Sequence, residues 1–298
     1  MKPQHAIRAA QGLFLGAAIS MLGYMGITHA AVEAHAKRVQ AYVEQHADGW
    51  FAAQVHQARL QHLNLTIPHI RYRLSDGLDT TDTGGDYNKE TNTIELNARG
   101  LRYLQMPRTG FSFTFARKHL IKNPRATVED TFRHEVGHYF TEVIAARMGY
   151  EDWKPKLDAE VEWQLDRQNT AFIFGGDNEP VRQSYLDFLK KHESTLTDVQ
   201  LYNIVNEGIA EYFESNGTTV DLFTDIDWPS GITDLNKMHR IDLRYGSGNH
   251  AGGYHLVRPI IQEYGVKGIE YLIANPPQVL DFRDIPHYQT EALEALCR

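Results

Sequence analysis

The stretch ATVEDTFRHEVGHYFTEVIAAR, from Ala126 to Arg147, decides how the chain is read. Its apolar residues Val128, Phe132, Val136, Phe140, Val143 and Ile144 recur at the three-and-four spacing of one helix face, and Thr127 or Asn123 could cap the start. At about 100° per residue, His134 and His138 fall nearly opposite that stripe. Residues four apart lie one turn above each other, so the two imidazoles can share a metal ion, and Glu135 is placed to act on a water beside it. Gly137 costs about 1 kcal/mol relative to alanine in a helix interior. A glycine there makes sense where another backbone must come close.

A catalytic metal held by two histidines needs a third protein ligand and an open fourth position. Downstream, Asn206-Glu207-Gly208-Ile209-Ala210-Glu211-Tyr212-Phe213 lies in a second expected helix, about Asp198 to Glu214. Its apolar residues Leu201, Val205, Ile209 and Tyr212 share a face, with Glu207 and Glu211 four apart on the other side. Taken alone, these carboxylates and Glu214 read as the solvated face of an amphipathic helix.

With the upstream pentapeptide in view, Asn206 to Tyr212 resembles the third-ligand helix of the gluzincin metallopeptidases, the group containing thermolysin and the aminopeptidases related to leukotriene hydrolase. That resemblance implies one catalytic zinc ion held by His134, His138 and Glu207. It also implies Glu211 as a carboxylate bracing a histidine ligand from behind. The segment from Tyr150 to Thr197 then reads as a largely helical insertion. A second likeness lies in His250 to Val257, similar to a Tyr-x-x-Gly-x-x-Leu segment whose tyrosine donates a hydrogen bond to the oxyanion. Matching the glycine to Gly253 puts His250 in that role, a residue type that thermolysin-like enzymes use for the same task. Tyr254, His255 and Tyr245 are the competing donors. More loosely, Asn275-Pro276-Pro277 through Pro286-His287-Tyr288 is similar to the end of some exported zincins. The likeness covers about Asp86 to Tyr288, and only the two metal motifs are specific.

The rest of the chain bounds this reading. Ala36 to about His62 reads as helix, after which His69 to Leu74 and Thr93 to Leu96 alternate as strands around the turn-rich Asp82 to Asp86. By the resemblance, Thr93 to Asn97 is the sheet edge that pairs with a peptide substrate, giving Thr93, Ile94 and Glu95 as substrate-binding positions. Asp76, Asp79, Asp82 and Asp86 lack the ligand order of an EF-hand and read as ordinary turn chemistry. With 298 residues, 42% hydrophobic and 23% charged, the chain can bury a full core. A formal charge of −8 without a Lys/Arg cluster argues against nucleic acid as a partner. Cys297 is the single cysteine, so no intramolecular disulfide can form.

At the N-terminus, Lys2 and Arg8 precede a charge-free run from Ala9 to Val32, which fits a signal peptide with exits at Thr28-His29-Ala30 or Ala34-His35-Ala36. The same run is nearly long enough for a membrane anchor, followed by Lys37-Arg38. The expected whole is an export segment, 1–36, before one α+β zincin-like domain, 37–298. That domain comprises a lobe with a small mixed or antiparallel sheet and the active-site helix, about 37–147, and a mainly helical lobe, about 148–298. The expected function is exported zinc-dependent peptide hydrolysis, periplasmic or secreted, with Glu135 as general base. Two other classes remain: a catalytically silent binding protein of this fold, and a helical structural protein with a chance His-Glu-x-x-His.

Overall fold

Helix α1 spans 33–57 and buries Ala36, Val39, Val43, Ala47, Trp50, Phe51 and Gln54, a stripe at helical spacing. It ends because Arg59 takes a left-handed φ of 58°, letting the Leu60 amide reach back to the Val55 carbonyl. This computed structural model describes residues 33–73, 84–97, 128–150, 153–175, 178–215, 248–278, 281 and 284–298. The N-terminal run, Asp76, Asp79, Asp82, Thr127, Asn123 and Tyr245 lie outside the described residues. Among the described residues no helix is long and apolar enough to cross a membrane.

The architecture is α+β, mostly helical with a small sheet. Strands β1 (His69–Arg73), β2 (Gly85–Asn88) and β3 (Thr93–Asn97) form it in the order β1-β3-β2. β2 and β3 are a hairpin closed by a turn in which Asn92 takes a φ of 48°. His69 N–H donates to the Asn92 carbonyl and Arg71 pairs with Glu95 at 3.3 Å, so β1 and β3 run parallel. The turn expected over Asp82 to Asp86 therefore ends earlier, since Gly85 and Asp86 already belong to β2.

The expectation that Thr93 to Asn97 is a sheet edge is corrected by this order. β3 is the central strand, flanked by β1 and β2, and Thr93, Ile94, Leu96 and Asn97 are all buried. With both sides taken up by neighbouring strands, Thr93, Ile94 and Glu95 have no free ladder groups for an added peptide strand.

Among the described residues seven further helices follow: α2 (Val128–Arg147), α3 (Ala159–Gly175), α4 (Glu179–Lys191), α5 (Glu193–Glu214), α6 (Gly248–Tyr264), α7 (Val266–Ala274) and α8 (Ile285–Cys297). Between α2 and α5 the described residues include α3 and α4, and these with the start of α5 share a small core of Tyr185, Phe188 and Leu196 against Val161 and Leu165 of α3 and Leu157 just before it. α6 carries Pro259 in its interior, which has no amide to give the His255 carbonyl one turn back. Gln289 of α8 fills that gap, its Nε2 donating to the His255 and Leu256 carbonyls at 2.6 and 3.1 Å. Gly265, at φ +58°, separates α6 from α7.

The chain divides into two compact units. One is Met1–Ala47, Ile70–Asp86 and Glu95–Thr131; the other is Asp48–His69, Tyr87–Ile94 and Phe132–Arg298. Within the second, α2 is fixed from one side by aromatic packing: Trp50 on Phe132, Phe51 on Phe140 and Phe140 on Phe213, with ring centroids 5.7, 5.6 and 5.1 Å apart. Polar ties add direction, as Gln54 Nε2 donates to the Arg133 carbonyl, Tyr139 Oη to that of Thr66 and Arg147 to that of Leu63. A side chain placed on α2 is thus placed on a rigid element.

Candidate metal centre

α2 and α5 run antiparallel and touch through backbone. A methyl group at Gly137 would lie 2.6 Å from Ala210 Cα, so only glycine lets the helices approach this closely between the two histidines. α5 in turn meets α6 where Gly208 lies against Gly253, each occupying the space a side chain on the other would need. The residue after Glu207 is therefore fixed on one side by α6, while Glu207 itself faces α2.

Across that interface the polar residues stand in rungs. His134 Nε2 lies 3.2 Å and His138 Nε2 3.6 Å from one oxygen of Glu207, Oε2. The imidazole rings are edge to face, with centroids 4.8 Å apart. Two donors on a tetrahedral zinc, each bonded at about 2.0–2.2 Å, stand about 3.3–3.6 Å apart. The two nitrogen-to-Glu207 separations are close to that spacing, and one potential ligand atom from each of the three residues lies within 4.8 Å of the others.

Behind this group stands a second carboxylate. Glu214 Oε2 is 3.0 Å from His134 Nδ1, the nitrogen turned away from His138 and Glu207. Glu211, the brace expected from the resemblance, joins the same surroundings: its carboxylate, that of Glu214 and a His134 ring nitrogen fall within 4.8 Å of one another. Burial works to lower the His134 pKa, but the hydrogen bonds with Glu207 and Glu214, aided by the charges of Glu135 and Glu207, outweigh it and hold it well above the ordinary histidine value. An imidazole in such company is a strong base toward a cation. Glu135 is buried, close enough for His134 to feel its charge.

The helix is less one-sided than its sequence implies. From Val128 to Phe140 its residues are mostly buried, the histidine side being covered by α5. His250 lies in the first turn of α6, three residues before Gly253, with its side chain outside the described residues. Tyr254 is fully buried with Arg258 over its ring, and His255 is half-buried with its pKa lowered by burial and by Arg258.

Two groups near the ligands have no place in the sequence motifs. Glu214 lies seven residues, about two turns, beyond Glu207, a spacing that puts both on one face and was there to be read. Glu142, one turn beyond His138, accepts from Tyr202 Oη at 3.4 Å and pairs with Lys89 Nζ at 2.8 Å, which no local pattern signals. Comparison with protein-family models, curated proteins and solved structures finds no match.

Proposed function

We propose that this chain is an exported zinc-dependent metallopeptidase of gluzincin type with a zincin-like fold, holding one catalytic ion through His134, His138 and Glu207. The observation that carries this reading is the convergence of two imidazole Nε2 atoms on one Glu207 oxygen, at separations suited to ligands of one ion. When bound, the ion would supply Lewis acidity, lowering the pKa of a water towards about 7 and polarising a scissile carbonyl.

The chain's own residues supply the rest. Glu135, buried beside His134, takes a proton from the attacking water and hands it to the leaving amine, acting as base and then acid. Glu214 and Glu211 hold His134 in the tautomer that leaves Nε2 facing Glu207, and they raise its basicity. His250 is the proposed donor to the oxyanion, on the likeness of His250 to Val257 to the oxyanion-binding segment, and the Gly208–Gly253 contact sets α6 against α5 next to Glu207. The substrate is a peptide or protein. The N-terminal charge-free run behind Lys2 and Arg8 is the address for export to the periplasm or the medium.

The test is metal analysis of the purified chain beside a peptide-library cleavage assay. Stoichiometric zinc with cleavage, both lost in Glu207→Ala, is the expected result. Zinc content indifferent to Glu207→Ala would sink the assignment.

A further inference from the structure

The α2–α5 interface is a ladder whose rungs advance by one turn on each helix, and its two ends are tied differently. At one end His134 is held from behind by Glu214, at 3.0 Å. At the other, His138 stands farther from Glu207, at 3.6 Å, and its Nδ1 is buried without a hydrogen-bond partner among the described residues. Hydrogen bonding therefore fixes His134 and leaves His138 to be positioned by its surroundings.

The next rung supplies them. Glu142 follows His138 by one turn on α2, Tyr202 precedes Glu207 on α5, and the Tyr202 hydroxyl donates to Glu142 Oε1 at 3.4 Å. The Tyr202 ring is buried and packs edge to face on Trp153 at 4.4 Å, so its hydroxyl has little freedom to point elsewhere. The Glu142 side chain is only 12% exposed, and burying a carboxylate is costly without compensation. Lys89, in the turn between β2 and β3, provides it at 2.8 Å. Such a pair gains little stability over an apolar contact but is exacting about geometry. The Tyr202 phenol also feels the charge of Glu207, which places this rung within electrostatic reach of the ligand.

We propose that Tyr202 and Glu142, with Lys89 as counter-charge, are positioning residues that set the register of α5 on α2 and so hold Glu207 at ligand distance from His138. This inference rests on the zinc reading above. It gives the His138 end of the ladder a hold through the register of the helices, where His134 has its direct contact with Glu214.

The experiment uses the full chain, with zinc affinity from chelator competition and the Co2+ ligand-field spectrum as a geometric readout. Tyr202→Phe keeps the ring against Trp153 and removes only the hydroxyl. It should weaken zinc binding by about 10-fold, the lower end for losing an outer partner, and shift the cobalt bands. Glu142→Gln, which keeps size and an acceptor oxygen but removes the charge that faces Lys89, should do the same more mildly, and it decides the matter if Tyr202→Phe does not fold. A merely structural role would lower the melting temperature and leave the cobalt bands of the folded protein in place. Wild-type zinc affinity and cobalt bands in both variants would overturn the inference alone. A wild-type chain that takes up no zinc would overturn the functional reading, and this inference with it.

Discussion

The Oε2 atom of Glu214 stands 3.0 Å from Nδ1 of His134, so the outer nitrogen of the first motif histidine is engaged by a carboxylate two turns beyond Glu207 on the facing helix. This makes the first prediction an ordering. Glu214→Ala should weaken zinc binding about 10- to 100-fold, as loss of a carboxylate behind a histidine ligand does. Glu211→Ala should cost less, because the 3.0 Å contact with His134 Nδ1 is made by Glu214. Chelator-competition constants for the two variants check the order, and a larger loss for Glu211→Ala would reverse the assignment.

Glu135→Gln tests the base. Glutamine keeps the size and helix preference of glutamate but cannot accept a proton, so the variant should bind zinc fully while peptide hydrolysis is abolished. Zinc content and turnover measured on one preparation separate the two effects. Cleavage at the wild-type rate by a zinc-loaded variant would remove Glu135 from the mechanism.

What was legible in the sequence is what a single helix dictates. The three-and-four spacing in Ala126 to Arg147 gives the helix and puts His134 and His138 on adjacent turns, and a helix through Glu207 follows by the same logic. Strand order is different in kind. Alternation in Thr93 to Leu96 signals a strand but says nothing of its neighbours, so an edge and a centre look alike until β1 and β2 are seen on either side. Glu142 was illegible for a third reason, since a carboxylate on a helix carries no mark of what the facing helix presents to it, and Glu214, though its spacing from Glu207 puts both on one face, carries no mark of its contact with His134 either.

Pro259 and Gln289 make a prediction about stability alone. Removing the amide side chain in Gln289→Leu leaves the His255 carbonyl, whose helical donor Pro259 lacks, without its partner, which should cost about 1–3 kcal/mol in urea unfolding. Pro259→Ala restores an amide for the His255 carbonyl, so the two changes should not add. A double-mutant cycle with no coupling would show that Gln289 is not answering the proline.

His255 predicts a pH dependence. Burial and the Arg258 charge lower its pKa, so the folded state holds its proton less well than the unfolded chain, whose histidine titrates at about 6.5. Stability from this group is therefore present above that value and is lost as pH falls through the folded-state pKa. Replacing it with the uncharged His255→Gln should flatten this part of the profile. The check is the wild-type minus variant difference in melting temperature from pH 8 down to about 5. A difference that grows toward acid pH would contradict the sign.

The glycines give the last prediction, and it has opposite signs at two positions. Gly49 lies inside α1 with nothing within 4 Å of the place its Cβ would occupy, so Gly49→Ala adds helix preference without a clash. It should stabilise the chain by about 0.5–1 kcal/mol. Gly208 is also within a helix, yet an added methyl there would run into the Gly253 backbone, which has no side-chain rotamer with which to yield. Gly208→Ala should therefore destabilise by about 1–3 kcal/mol, as overpacking does, despite the same gain in propensity. Because α5 must shift to relieve the clash, and Glu207 is the adjacent residue, zinc affinity should fall as well, whereas Gly49→Ala should leave it unchanged. Unfolding free energies and zinc constants for both variants decide the matter. A stabilised Gly208→Ala would mean that α5 and α6 do not cross at these glycines.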